Sequence, residues 1–330
     1  MALGVYLVGN TYQTTYFCFL AVYMKQLKTL CLAAIICAVA PNVQAQAKKR
    51  FKGKPIEFGL SVGASNYMGD LTPSIALGES HLAGGLLCRF NYSDFITLRG
   101  NATFGQISGD DKNYSSDPFR KQRNLNFKSN IMEFSGVVEW NILGFGETTR
   151  ERPFSPFLYA GLGVFKFNPM TQFHYMPNVT DATGKSIHDA QLQQFDGKWI
   201  ELQPLGTEGQ ETTKYNERRR YSLTQVCVPL GFGFKKQVDE FWAVGFDMGA
   251  RVTFTDYMDD VSLTYVEDQI VGGNNGLLAA ALADRGPELG YERFYNGDPR
   301  GTSKANDMYL FMNFTVTRKI VGGKTVCFQF

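Results

Sequence analysis

Phe241-Trp-Ala-Val-Gly-Phe-Asp-Met-Gly-Ala-Arg-Val-Thr-Phe254 is the stretch of sequence that decides the fold. Every second residue from Trp242 to Phe254 is apolar, whereas the residues between them are small, polar or charged and include Asp247 and Arg251. Successive side chains of a β-strand point to opposite faces, so one face of this strand is apolar and the other is polar. A strand of this length, with aromatic residues at both ends of its apolar face, favours lipid on the outside of a barrel and a polar lumen inside.

The same alternation recurs along the chain. Seven further segments show it, two of them less regularly, and the total of eight strands is the smallest usual number for a membrane barrel. The further segments are 55–67, 81–92, 95–107, 125–142, 157–167, 221–235 and 307–317. Pro229 lies inside one of the two less regular segments and cannot donate a ladder hydrogen bond, so we expect a bulge or a strand end there.

The connections between these strands alternate in length. Short connections are followed by longer ones, and two of the longer ones, 168–219 and 255–306, exceed all the others. Short periplasmic turns and long extracellular loops are typical of outer-membrane barrels. The sequence therefore predicts an all-β fold, an eight-stranded antiparallel up-and-down transmembrane β-barrel with long extracellular loops and both termini in the periplasm.

The N-terminal region has the features of a leader. A basic segment begins at Met24, an apolar segment follows at 30–40, and Ala45-Gln46-Ala47 is a small-x-small cleavage site, with Val43-Gln44-Ala45 as the alternative. We interpret residues 1–47 as the leader, with the signal peptide starting at Met24, and residues 48–330 as the barrel domain. The residues before Met24 are interpreted as an over-long start; a weak membrane segment is the rival interpretation.

Composition excludes several function classes. The formal net charge of +2 gives no electrostatic support for binding nucleic acid. Of the six cysteines, Cys88, Cys227 and Cys327 follow the leader, and an odd number without close spacing fits neither a disulfide framework nor a zinc site. Cys88 should face lipid as a small apolar residue.

The sequence shows no local arrangement of a nucleophile beside a base, and it contains only three histidines. Two acidic clusters, Asp110-Asp111 and Asp256 with Asp259-Asp260, lack the spacing of a calcium loop and are interpreted as solvated loop carboxylates. We therefore expect no enzymatic activity, no cofactor and no metal.

Seven charged residues should point into the lumen because of their strand parity. They are Glu57, Arg89, Arg99, Glu133, Glu139, Asp247 and Arg251. The predicted strand ends place Glu57 and Arg89 at one depth, and they place Arg99 opposite Glu139. Because an unpaired ion in a narrow lumen is costly, we expect these two salt bridges and a closed structural barrel.

Five strings of residues resemble the PorG-like family of small outer-membrane barrels of Bacteroidota, over about 56–318. The strings are SNYMGDLT at 65–72, LRGN at 98–101, ISGDD at 107–111, PFLYAGLGVF at 156–165 and TDYMDDVS at 255–262. The resemblance implies an eight-stranded barrel in the outer membrane without enzymatic activity. For the members associated with the type IX secretion system, it implies contact with a periplasmic ring of PorK and PorN subunits.

The chain departs from that family in long inserts at 181–219 and 268–307. The first hypothesis is therefore an accessory component of a type IX secretion machinery, embedded in outer-membrane lipid. The alternatives are a surface-exposed binding or adhesion barrel that uses its long loops, and a narrow solute channel.

Overall fold

The computed structural model describes residues 56–145, 152–180, 186–239 and 241–320. The predicted leader and Cys327 lie outside these residues. Within them, eight strands pair antiparallel with their neighbours and close into a barrel, which confirms the predicted fold. The barrel strands are β1 (Ile56–Met68), β2 (His81–Asn91), β3 (Ile96–Asp110), β4 (Asn126–Asn141), β5 (Phe154–Lys166), β8 (Thr224–Gln237), β9 (Trp242–Thr253) and β10 (Met308–Ile320). Two short strands between β5 and β8, β6 (Pro169–Gln172) and β7 (Trp199–Glu201), extend the sheet from β4.

The two faces of the strands differ in the way that the alternation predicts. On β9, Trp242 and Val244 are exposed, whereas Asp247 and Arg251 are buried in the lumen. Large apolar side chains are likewise exposed along the outward parity of the other barrel strands, with Leu82 78% exposed. Cys88 shares the outward parity of β2 and is half-buried. A continuous apolar outer band of this kind is the surface that a barrel presents to lipid.

The expectation of a bulge or strand end at Pro229 is wrong. Strand β8 continues through Pro229, which lies opposite Arg251 of β9 without a change of register. On the other side, the ladder with β5 is interrupted between the pairs Ala160–Leu230 and Gly163–Cys227 and resumes in the same register. The missing N–H of proline therefore interrupts one ladder without shifting the register of the strand.

The connections after β2, β4 and β8, residues 92–95, 142–153 and 238–241, lie at one end of the barrel, which we call the turn end. The long connections lie at the opposite end and fold together into a cap. The described part of the cap comprises residues 69–80, 111–125, 167–180, 186–223 and 254–307. It contains α1 (Pro118–Arg123), α2 (Asp268–Asn275) and α3 (Leu277–Ala283), and the 3-10 turns Leu77–Glu79, Asp111–Tyr114, Ala190–Phe195, Gln203–Leu205 and Gly286–Leu289.

The cap is continuous with the upper half of the lumen. Leu192, Leu202 and Leu282 of the loops pack in one apolar core with Phe127 and Phe165 of the barrel wall. A second, smaller core around Val271 and Ala279 joins α2 and α3. Burying these side chains fixes the long loops in one arrangement on top of the barrel. No helix in the described ranges combines the length and apolar character needed to cross a membrane.

Tryptophan fluorescence can test the apolar band. Trp140 and Trp242 lie on the outer face near the turn end, and Trp199 lies on β7 of the cap. In vesicles of lipids brominated along their acyl chains, Trp199→Phe, which retains Trp140 and Trp242, should be quenched strongly. The double variant Trp140→Phe/Trp242→Phe, which retains Trp199, should be quenched less, because its tryptophan lies beyond the apolar band. Equal quenching of the two variants would contradict this placement.

Candidate functional site

Glu139 is the centre of an ion network in the lower lumen. Its Oε1 lies 3.1 Å from Arg89 Nε and 3.0 Å from Arg99 Nη1, and its Oε2 lies 2.8 Å from Lys235 Nζ. These four side chains come from β4, β2, β3 and β8, and all are almost fully buried. One carboxylate therefore neutralises part of the charge of three cations and ties four strands together.

Two further ion pairs lie higher in the lumen. Arg99 Nη1 also reaches Asp247 Oδ1 at 3.3 Å, and Arg251 Nε lies 3.0 Å from Glu133 Oε2. The hydroxyl of Tyr309 donates a second hydrogen bond to Glu133 Oε2, at 2.9 Å. All seven charged residues expected in the lumen thus point inward, and six of them are linked by salt bridges.

The predicted salt bridge between Glu57 and Arg89 is wrong. The two residues are paired in register on β1 and β2, but the guanidinium of Arg89 binds Glu139 instead. Glu57 accepts hydrogen bonds from Asn91 Nδ2 at 2.8 Å and from Thr317 Oγ1 at 3.0 Å. In a narrow barrel a long arginine side chain can reach a strand beyond its neighbour, so similar depth does not determine the partner.

Lys235, which is not among the lumen residues expected from the sequence, completes the network. The alternation along β8 indicates an inward position for Lys235, because Phe232 and Phe234 face outward and the residue after Phe234 must then face inward. Its ammonium also lies 4.8 Å from the centroid of the Phe145 ring, a distance compatible with a cation–π contact.

Large side chains fill the space around these ions. Phe157 and Tyr159 project from β5 across the lumen, and Arg99 lies 4.6 Å from the centroid of the Tyr159 ring. Glycines on the facing strands make room for them, because a Cβ atom at Gly249 would lie 2.0 Å from the Tyr159 hydroxyl. The seven charged residues listed above are each at most 3% exposed, so water has no open path past them.

Where the barrel meets the cap, three oxygen atoms share hydrogen bonds. The hydroxyl oxygen of Tyr67 lies 2.8 Å from Asp259 Oδ2 and 2.7 Å from Asp307 Oδ1. A phenol has one proton to donate, so one carboxyl group must be protonated and donate to the Tyr67 oxygen. Asp259 already accepts hydrogen bonds from backbone N–H groups at both of its oxygens, whereas Asp307 Oδ1 has only Tyr67 as a partner. The geometry therefore favours protonation of Asp307.

Burial raises the pKa of both Asp259 and Asp307 well above the usual range; repulsion from Asp70 adds to the shift of Asp259, and repulsion from Asp259 adds to that of Asp307. Gly69 lies directly against this group: a Cβ atom there would be 1.9 Å from Asp307 Oδ1 and 2.0 Å from the Tyr67 hydroxyl. The glycine of the SNYMGDLT string is thus required for this close approach. We call Tyr67, Gly69, Asp259 and Asp307 the cap mount.

Further ion pairs hold the loops to one another. Arg123 donates from Nη2 and Nε to the two oxygens of Asp111, at 2.7 and 2.8 Å. Arg300 lies 3.2 Å from Glu208 Oε1 and 3.8 Å from Asp260 Oδ2. The interpretation of the acidic clusters as solvated is therefore wrong for Asp111, Asp256, Asp259 and Asp260, which are buried. The partners of Asp259 and Asp260 come from distant segments of the chain, which local spacing cannot reveal.

The described residues contain no group of three or more His, Cys, Asp or Glu side chains arranged to hold a metal ion.

Comparisons with known proteins give distant likenesses. A family model described as "Domain of unknown function (DUF6089)" matches residues 31–189. None of the curated proteins matches the chain.

Solved structures with detectable similarity include the Neisserial surface protein A (NspA), at 8% identity and a TM-score of 0.35, over 80% of this chain and 97% of that one. The N-terminal β-barrel domain of Pseudomonas aeruginosa OprF has 8% identity and a TM-score of 0.32, with coverages of 81% and 98%. Outer membrane protein OprG of the same organism has 9% identity and a TM-score of 0.31, with coverages of 81% and 95%. The fold assignment itself rests on the closed strand register.

The lumen network predicts a large effect for Glu139→Gln. The substitution preserves the shape of the side chain but leaves three buried cations without their shared carboxylate, which should cost roughly 3–5 kcal/mol. Urea unfolding of the protein in lipid vesicles measures this loss. Glu211→Gln is the control, because the carboxylate of Glu211 is exposed and its pair with Arg220 should contribute about 0–1 kcal/mol. Equal losses for the two variants would refute the role of Glu139.

Cap stability should depend on pH. Burial raises the pKa of Asp256 to about 7 and that of Asp260 to about 6, although Arg300 opposes the shift of Asp260. Both pKa values lie above those of an unfolded chain, so the folded cap binds more protons than the unfolded one between about pH 4 and pH 7. Lowering the pH through this window should stabilise the cap, and raising it should remove that stability.

Hydrogen exchange of cap amides, corrected for intrinsic rates, measures this effect. Protection should be greater at pH 5 than at pH 8, and Asp256→Asn should reduce the difference by removing one titrating group. Protection that increases with pH would contradict the prediction.

Proposed function

We propose that this chain is a non-enzymatic outer-membrane barrel, with its turn end and both termini in the periplasm and its cap outside the cell. The exposed apolar band supports a position in the membrane. The difference in length between the connections at the two ends supports this orientation, because outer-membrane barrels carry short turns on the periplasmic side and long loops outside.

The closed lumen supports the proposal that the barrel serves as an anchor in the membrane. The ion network blocks its lower half, and the apolar core shared with the cap fills its upper half. A narrow solute channel would need hydrated side chains along a continuous path, whereas Arg89, Glu139 and Lys235 are at most 1% exposed. The protein therefore functions through the surfaces at its two ends.

We propose further that the chain is an accessory component of a type IX secretion system. The support is the resemblance of its sequence strings to the PorG-like family. Three of these strings, 65–72, 107–111 and 255–262, supply Tyr67, Asp111 and Asp259 to the junction of barrel and cap. The contact with PorK- and PorN-like ring subunits would then lie at the turn end, which is on the periplasmic side in the proposed orientation.

A second candidate function is binding at the cell surface, and one feature of the cap favours it. A cleft of about 600 Å³ opens between α2, α3 and the segment after residue 186. Leu277 and Ala280 are among its apolar lining residues, and Asp268 and Arg293 add charged groups. Its volume falls within the range of small-molecule sites, about 300–1,000 Å³.

Matched substitutions at the two ends separate the candidates. The turn end exposes Leu143 and Val238, which are 57% and 56% exposed, and the cap exposes Leu277, which is 45% exposed. In a strain lacking the gene, export of type IX cargo should stop, and the wild-type gene should restore it. Leu143→Glu/Val238→Glu should restore export poorly, because charges would disrupt an apolar contact, whereas Leu277→Glu should restore it fully.

Membrane levels of each variant, measured in the same cells, control for loss of the protein. Normal export in the strain lacking the gene would refute the secretion role. If that strain or Leu277→Glu loses a surface-binding phenotype while export continues, the second candidate is correct. Deleting the cap segment 181–217 is a weaker test, because it removes the buried residues Leu192, Leu202 and Glu208.

A further inference from the structure

A groove of about 830 Å³ opens on the outer face of the barrel, close to the cap. It crosses strands β1 to β5, and its volume lies within the range of ligand sites, about 300–1,000 Å³. Its lining includes Val62, Phe104, Gln106, Asn130, Met132 and Lys166. Because several of these side chains face outward, the groove opens towards the surroundings of the barrel.

Interruptions of the sheet create this groove. The ladder between β2 and β3 ends at the pair Gly84–Phe104, although both strands continue towards the cap. The ladder between β4 and β5 ends at Met132–Lys166, and β4 then pairs with β6 at Ser129–Pro169. Two notches in the wall thus flank the β3–β4 hairpin at the same level.

The chemistry of the groove changes along the barrel axis. On the side of the apolar band, Val62, Phe104 and Met132 are exposed and lie at one level of the sheet. On the side of the cap, Gln106 and Asn130 face outward and form a hydrogen bond of 2.8 Å. An apolar lower part beneath a polar upper part matches an amphiphile whose acyl chains lie in the band and whose headgroup lies at the level of the cap.

Two cationic side chains border the groove. Lys166 pairs with Met132 across the β4–β5 ladder and lies at the edge of the groove, and Lys128 lies two residues beyond Asn130 on the same face of β4. The ammonium of Lys128 stands 3.8 Å from the centroid of the Trp199 ring, and tryptophan commonly marks the interface between membrane and water. One carboxylate, Glu201, is close by and accepts a hydrogen bond from Asn168 Nδ2 at 2.9 Å. Two lysines beside one carboxylate leave this rim with net positive charge.

We propose that this groove binds one membrane lipid with a phosphate-bearing, anionic headgroup, held by Lys128 and Lys166, with its acyl chains against Val62, Phe104 and Met132. Basic side chains at the membrane surface attract anionic headgroups in this way. The proposal rests on the membrane position proposed above and is independent of the secretion role.

Lipid retention measured by native mass spectrometry tests the site. The full chain is inserted into nanodiscs that contain phosphatidylglycerol and phosphatidylcholine in equal amounts, and is then released in a mild detergent. Wild-type protein should retain one phosphatidylglycerol molecule with a preference of about tenfold over phosphatidylcholine. Lys128→Gln/Lys166→Gln should lose most of this preference.

Lys236→Gln is the matched control, because Lys236 is an exposed, outward-facing lysine on β8 near the turn end. It should retain the wild-type preference. Asn130→Trp fills the groove without changing its charge and should reduce retention of the lipid.

Inorganic phosphate added in millimolar excess should not displace the lipid, because the acyl chains contribute to binding. The remaining results distinguish a failure of the proposed membrane position from a failure of the lipid site. Failure of the wild-type protein to insert into nanodiscs would refute the proposed membrane position itself. The lipid site alone would be overturned by any of three results: insertion without a preference for phosphatidylglycerol, a loss of that preference in Lys236→Gln equal to the loss in the double lysine variant, or complete displacement of the lipid by inorganic phosphate.

Discussion

The rest of this structure depends on the neutralisation of charge inside a narrow barrel. An ion in the lumen is removed from water, and it is tolerated only when another charge or several hydrogen bonds compensate it. Glu139 meets this requirement for Arg89, Arg99 and Lys235 together, and thereby links strands that are not neighbours in the sheet. Backbone ladders close the wall, whereas these ions and the rings of Phe157 and Tyr159 determine that the barrel has a filled interior.

The wall could be predicted from the sequence because alternation is a local property. The parity read from the stretch between Trp242 and Phe254 correctly assigned Asp247 and Arg251 to the lumen, and strand bounds elsewhere agree to within a few residues. The salt-bridge partners could be predicted only in part. Arg99 pairs with Glu139 as its depth suggests, but Arg89 reaches across β3 to the same Glu139 and not to Glu57 on the neighbouring β1, because side-chain length and the tilt of the strands decide the contact.

The cap could not be predicted for a different physical reason. Its stabilising contacts join segments far apart in sequence, such as Tyr67 with Asp259 and Asp307, and no local pattern encodes such an encounter. Acidic residues in polar loops are usually solvated, so nothing in the local sequence indicates that Asp259 and Asp260 are buried. Only Gly69 offered a local signal, since a glycine beside an aspartate can mark a close approach of the chain.

These contacts also limit what the family resemblance can say about function. The strings that carry it at 65–72, 107–111 and 255–262 contribute Tyr67, Asp111 and Asp259, whose side chains are fully or almost fully buried. Buried residues that fix loops to a barrel determine how the cap is held, and they cannot contact a partner. Specificity for a partner must therefore lie in exposed side chains outside these buried positions, such as Leu143 and Val238 at the turn end or Leu277 on the cap. A related barrel could keep the same cap mount and still bind a different partner, so substitutions at the exposed ends will identify the function more directly than the shared strings.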